Sequence, residues 1–188
     1  MKELKVFIAS SNELSAERVF IGALAGKLDT MLREQGIRIK LFEWEDFDAA
    51  YNGRRKQDEY NDNVRDSDVF FALFMKKLGA FTVEEYHVAA ASFAFKGRPE
   101  VHVLVKEKNG GEPSVKLRQF LCEISSTKGT TVEKFSSIDA MQYLFVKHIY
   151  GALHLNASWS EEAEWLCIGS LRVSKISSIL KEKPSIIQ

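Results

Sequence analysis

The chain has 188 residues, of which 45% are hydrophobic and 28% charged, the proportions of an ordinary globular domain with room for one appended element. Lysine plus arginine equals aspartate plus glutamate at 26 each, so the net charge is zero and no broad attraction to nucleic acid or an anionic membrane is expected. No apolar run approaches the length of a membrane span and no signal peptide leads the chain, so a cytoplasmic protein without membrane contact is expected. Cys122 and Cys167 stand far apart without ligand spacing and read as buried or half-buried thiols of a reducing compartment.

Val6-Phe-Ile-Ala-Ser10 is a short apolar run ending in small polar residues, which predicts a first, central strand. Ser11 and Asn12 are candidate N-caps for a helix whose Leu14, Ile21, Leu24, Leu28 and Met31 recur at helical spacing, and Gly36 stands at its expected C-cap. Ile37 to Trp44 reads as a second strand. An acidic and aromatic loop follows to the turn signal Asn52-Gly53, and then a charged helix reaches Asp66 with Tyr60 and Val64 inward. Val69 to Met75 is a buried strand, and a helix is expected from about Thr82 to Lys96. Strands over Val101–Val105 and Thr130–Phe135 and helices over Leu117–Ile124 and Ile138–Leu153 complete the alternation.

Strands alternating with helices at this spacing predict a flavodoxin-like three-layer α/β sandwich. Its five-stranded parallel sheet should run in the order 2-1-3-4-5. Beyond residue 155 the alternation stops. Ser158 and Glu161 can form a capping box, and Trp159, Leu166, Gly169, Val173, Ile176 and Leu180 keep a three-four register. The expected division is therefore an α/β domain over 1–155 and an extra C-terminal helix, an extension or connector, within 156–188. The end of the chain shows no terminal design, so a longer polypeptide is allowed for.

In an open α/β sheet, ligands bind beyond the carboxyl ends of the strands. The first strand delivers Ser10 and Ser11 there; the second delivers Trp44 and Asp46, followed by Arg54; the third delivers Phe81, Thr82 and the adjacent carboxylates Glu84 and Glu85. Hydroxyls, rings and carboxylates at one edge suit a ribose-and-base ligand. Each residue also has a plainer explanation: core packing for Trp44 and Phe81, a solvated face for Arg54, and dipole complementation for a first-turn acid. The four histidines show no ligand spacing, so no metal is expected. Gly-x-Ser-x-Gly, Gly-x-Gly-x-x-Gly and Walker loops are all absent from the sequence.

The Val-Phe-Ile-Ala-Ser-Ser start, Glu17-Arg18, Ser67-Asp68-Val-Phe-Phe and the stretch Gly79-Ala-Phe81-Thr82 to Glu85 and Ala89 resemble the prokaryotic branch of the Toll/interleukin receptor homology (TIR) domains. The resemblance covers roughly Lys5 to Leu153. It implies that Glu85, with an aromatic four residues before and a small residue four after, is catalytic, whereas Glu84 is not. Phe81 stands where the family usually has Trp. The resemblance further implies an NAD+ glycohydrolase that releases nicotinamide and ADP-ribose or a cyclic ADP-ribose. NAD+ is then substrate, with no cofactor, and activity depends on self-association, in the setting of bacterial anti-phage defence. One glutamate suffices for this chemistry, because nicotinamide leaves as a neutral molecule and only the oxocarbenium centre needs a carboxylate. Two rivals stand beside this reading: a nucleoside deoxyribosyltransferase-like enzyme with the glutamate as nucleophile, and a non-enzymatic TIR assembly module.

Overall fold

The computed structural model describes residues 1–42, 56–107 and 112–155, with only the backbone of Lys56, together with the backbone of 166–168 and 171–173. Five parallel strands, β1 (Lys2–Ser10), β2 (Ile37–Phe42), β3 (Val69–Phe74), β4 (Glu100–Lys106) and β5 (Thr130–Phe135), form one sheet in the order β2-β1-β3-β4-β5. Helices α1 (Ser15–Arg33), α2 (Lys56–Asp66), α3 (Ala80–Lys96), α4 (Val115–Ile124) and α5 (Ile138–Ala152) cover it. This is the flavodoxin-like layout expected from the alternation, with α5 closing its C-terminal side.

The order follows from burial. All six residues of β3 are buried, which requires a central strand with helices on both faces. Its side chains alternate between two cores: Val69, Phe71 and Leu73 pack with Leu28, Phe145 and Ile149 from α1 and α5. Phe70, Ala72 and Phe74 pack with Val64, Tyr86 and Phe120 from α2, α3 and α4. A period of two along the strand thus supplies both layers at once. Burying each of these aromatic side chains contributes roughly 3 kcal/mol, which truncation to alanine would forfeit. By contrast β2 and β5, at the sheet edges, are mostly half-buried or exposed.

Gly36 and Gly129 have conformational work. Gly36 follows α1 at φ +74, as its C-cap position predicts. Gly129 precedes β5 at φ +83, and a Cβ there would come within 2.0 Å of the Phe93 ring at the end of α3. Gly129→Ala is therefore expected to destabilise the fold by about 2 kcal/mol, read from urea unfolding, since backbone strain and overpacking coincide. An unchanged unfolding midpoint would contradict this packing.

Beneath α5 the His102 and His148 rings stack with centroids 3.7 Å apart. Burial pushes the Glu133 carboxyl up, but the His148 ring and the Lys147 ammonium bonded to it outweigh that and hold it down at about 2. A depressed carboxylate contributes stability that is present above its unfolded value of 4.5 and is lost as the pH falls toward 2. Glu133→Gln should accordingly lower the melting temperature at pH 7, by an amount that shrinks through this acid window. A pH-independent difference would refute the assignment.

Two expectations are corrected here. Within the stretch read as a helix from Trp159 to Leu180, Leu166–Ile168 and Leu171–Val173 form an antiparallel ladder, β6 and β7, with β7 beside α5. Gly169-Ser170 between two short apolar segments is a two-residue hairpin signal, and a register of threes and fours does not distinguish helix from strand over so few residues. The remainder of that stretch lies outside the described residues. Cys122, expected to be at least half-buried, is an exposed thiol, because α4 turns Leu117, Phe120 and Ile124 inward and leaves it on the solvent side.

Candidate functional site

The carboxyl ends of β1 and β3 are tied together by short loops. After Ser10 a single 3-10 turn, Asn12–Leu14, leads into α1. The Glu13 carboxylate at its centre accepts hydrogen bonds from the Lys76 and Lys77 backbone N–H groups, at 3.0 and 2.9 Å. These bonds fix the loop after β3 against the loop after β1. Ser10 Oγ accepts from the buried Arg18 guanidinium at 2.7 Å, and Arg18 also donates to the Ser11 carbonyl at 3.3 Å. Glu17, buried next to it, pairs with Lys106 from the end of β4.

Ser11, Gly79 and Thr82 meet at this edge. A Cβ placed on Gly79 would lie 3.2 Å from Thr82 Oγ1 and 3.6 Å from Ser11 Cβ. Thr82 is buried, and Ser11 Oγ is buried without a hydrogen-bond partner among the described residues. Leaving a hydroxyl unpartnered costs about 1–3 kcal/mol, so a group that supplies the missing bond is favoured there.

Gly79 is the N-cap of α3, and the Val83 N–H bonds back to the Gly79 carbonyl at 3.0 Å. The helix therefore starts at Ala80, two residues before the position expected from Thr82. No acidic residue falls in its first turn, so Glu84 and Glu85 sit one turn further in, where dipole support has faded. Adjacent helical residues point about 100° apart, and here the two acids separate. Glu85 is 7% exposed and shares the inward face with Thr82, Tyr86 and Ala89. Glu84 lines an open hollow of about 830 Å³ on the outer side of α3, with Val83, His87 and Phe95.

Helix α2 meets both. Gln57 Nε2 donates to Glu85 Oε1 at 2.9 Å, and one turn later Asn61 Nδ2 donates to Glu84 Oε1 at 2.9 Å. Burial pushes the Glu85 carboxyl up, the Gln57 bond partly offsets it, and the nearby Glu84 charge raises it again, to about 7. Glu85 in turn, after burial, raises the Tyr60 phenol on α2. A buried carboxyl that titrates near neutrality can serve either as a base or charge stabiliser or as an acid, depending on pH.

Of the residues singled out from sequence, Ser10, Ser11 and Thr82 gather at the β1–β3 edge, and Glu85 lies one helical turn beyond Thr82 in the α2–α3 seam. Phe81 is 62% exposed, so it does not share the inward face of Glu85 and Ala89. A separation of four residues leaves a 40° offset, and in the first turn no described element covers that side. Trp44, Asp46 and Arg54 lie outside the described residues. Gln57 and Asn61 escaped sequence reasoning, because two amides in a charged helix carry no mark of what faces them. The Glu17–Arg18 pair stands out in the sequence only through the family resemblance. No cluster of three or more potential metal ligands occurs among the described residues.

No protein-family model matches the chain, and no curated protein does. Among solved structures it is similar to a CMP N-glycosidase of Clostridium botulinum, with 15% identity over 76% of this chain and 98% of that one and a TM-score of 0.46. A conserved protein of Enterococcus faecalis matches with 14% identity over 78% and 99% of the two chains and a TM-score of 0.45. The TIR domain heterodimer of RPS4 and RRS1 matches with 12% identity over 80% and 98% and a TM-score of 0.47. Likenesses of this size carry no argument about activity, which falls to the geometry.

Proposed function

We propose that this chain cleaves an N-glycosidic bond, that of NAD+, with Glu85 as the catalytic residue. The observation that carries the reading is the Glu85 carboxylate, buried in the α2–α3 seam one helical turn beyond Thr82 and held by a neutral amide, with no cation bonded to it among the described residues. When ionised, such a carboxylate is not neutralised by a paired cation and can stabilise a positive centre brought beside it. In the reaction the bond between the ribose anomeric carbon and the nicotinamide nitrogen breaks. Its electron pair passes to the pyridinium ring, which leaves neutral and needs no proton. The ribosyl oxocarbenium ion that remains is stabilised by Glu85 and captured by water, which loses a proton to solvent, or by a ring nitrogen of the same molecule in the cyclising variant. Ser10, Ser11 and Thr82 are assigned to the sugar hydroxyls, and Trp44, Asp46, Arg54 and Phe81 to the base and its loop.

The proposal includes self-association through the same domain. The test is nicotinamide release from NAD+, followed by chromatography from nanomolar to high micromolar protein. Turnover should rise more steeply than protein concentration, because an association step precedes catalysis. No nicotinamide at any concentration would overturn the reading.

One observation favours a second reading. Raised to about 7, the Glu85 carboxyl holds a proton well into the neutral range, and a protonated carboxyl can donate to a base that leaves as an anion. A nucleotide or deoxynucleoside with a neutral base would then be the substrate. The pH dependence separates the two: kcat/KM for NAD+ rises through about 7, whereas acid-assisted base release falls through it. Incubation with a nucleoside monophosphate, and with a deoxynucleoside plus free base, completes the comparison.

A further inference from the structure

We propose that Gln57 is a positioning residue for Glu85: the side-chain amide that α2 extends across the α2–α3 seam fixes the direction in which the carboxylate points. This inference rests on the reading of Glu85 as the reacting carboxylate. The bond is 2.9 Å long, joins residues 28 apart in sequence, and lies between two buried side chains, Gln57 at 5% and Glu85 at 7% exposure. A hydrogen bond to a charged acceptor in such surroundings restricts both partners to one rotamer each.

A role confined to stability fits the pair poorly. Burial drives the Glu85 carboxyl far above its ordinary value, so keeping it ionised costs the fold free energy, and an apolar pair of the same volume would pack without that cost. The choice of amide also has chemical content. A lysine or arginine at position 57 would hold the carboxylate as firmly, but its charge would cancel the potential needed beside a developing cation. Glutamine orients without neutralising.

Asn61 extends the logic one turn along α2. Its amide donates to Glu84 at 2.9 Å, on the side of the outer hollow. Two amides at i and i+4 thus each engage one of two adjacent carboxylates and hold them in different directions. The titratable groups facing Glu85 are Glu84 on its own helix and Tyr60 on α2, so no cation competes with the amide for it among the described residues.

The deciding experiment is a carbon-detected NMR titration of the Glu85 side-chain carboxyl in glutamate-labelled full-length chain, assigned with Glu85→Gln. It is run on the native chain, Gln57→Leu and Gln57→Glu, with kcat and KM for NAD+ measured over the same pH range. In Gln57→Leu the midpoint should move up by about one pH unit, kcat should fall about tenfold, and KM should stay within about twofold. The acid limb of kcat/KM should move with the midpoint. In Gln57→Glu two carboxyls share one proton and titrate in two steps, the upper one above the native midpoint. Should Gln57→Leu fail to fold, as judged by its thermal melt, the isosteric Gln57→Glu decides alone. A Glu85 midpoint unmoved in every variant that folds overturns the proposal, as does a kcat unchanged in a chain that turns over NAD+. Shifted midpoints in a native chain that releases no nicotinamide uphold the role of Gln57 in orienting Glu85 and overturn the glycohydrolase reading instead.

Discussion

Glu85→Gln is expected to abolish nicotinamide release while the fold stays intact, and Glu84→Gln to leave turnover within about threefold of native. The glutamine keeps the size of the side chain and an oxygen that accepts the Gln57 N–H bond, so the seam remains filled. What disappears is the charge that the proposed mechanism sets against the anomeric carbon. Losing an electrostatic partner of that kind costs on the order of 3 kcal/mol or more, which is at least roughly a hundredfold in rate. Glu84 lines the outer hollow and is held there by Asn61, so its charge reaches the site only as a weak repulsion on Glu85. In the native chain kcat/KM should fall about tenfold per pH unit below the Glu85 midpoint near 7 and level off above it. Chromatographic nicotinamide assays on the three proteins decide this. Native-like turnover by Glu85→Gln would remove the carboxylate from the chemistry, and a dead Glu84→Gln beside it would transfer the role to the neighbour.

The same substitution is expected to stabilise the protein at alkaline pH. Burial raises the Glu85 carboxyl from 4.5 to about 7, so the folded chain holds this proton more tightly than the unfolded chain does. Between those values the native state binds more protons, and stability therefore falls as the pH rises through the window. The penalty is absent below about 4.5 and complete above about 7. At about 1.4 kcal/mol per unit this amounts to roughly 3 kcal/mol for so buried a group. Glu85→Gln, which carries no such charge, should gain up to that amount over the native chain at pH 8 and nothing at about pH 4.5. Urea unfolding at the two pH values measures it directly. Equal stability of the two proteins at pH 8 would mean that Glu85 is hydrated rather than buried. A variant that gains stability as it loses turnover is the signature of a carboxylate kept for function at the expense of the fold.

Much of the architecture was legible from local pattern because the sheet is parallel and doubly covered. The run from Val69 to Met75 read as a buried strand, and Val69–Phe74 is one; the 3.6-residue recurrence from Leu14 to Met31 read as a helix with one apolar stripe, and α1 carries it. Where pattern was ambiguous the reading strayed. Leu166–Ile168 and Leu171–Val173 fit a helical register as well as short strands, and their pairing with each other formed the ladder. The start of α3 moved because Gly79, rather than a polar residue, occupies its N-cap, and that shift took the two acids out of the first turn.

Chain order and residue type alone were enough to settle the fold class and the strand order. Covalent sequence carries these because alternation, period and composition are local quantities that survive without knowledge of neighbours. Which of Glu84 and Glu85 points inward, what holds it, and how strongly it keeps its proton depend on α2 packing across α3, through Gln57 and Asn61 more than twenty residues away. Desolvation is a property of everything surrounding a group at once, so the proton affinity of Glu85 exists only once the seam between the two helices has closed.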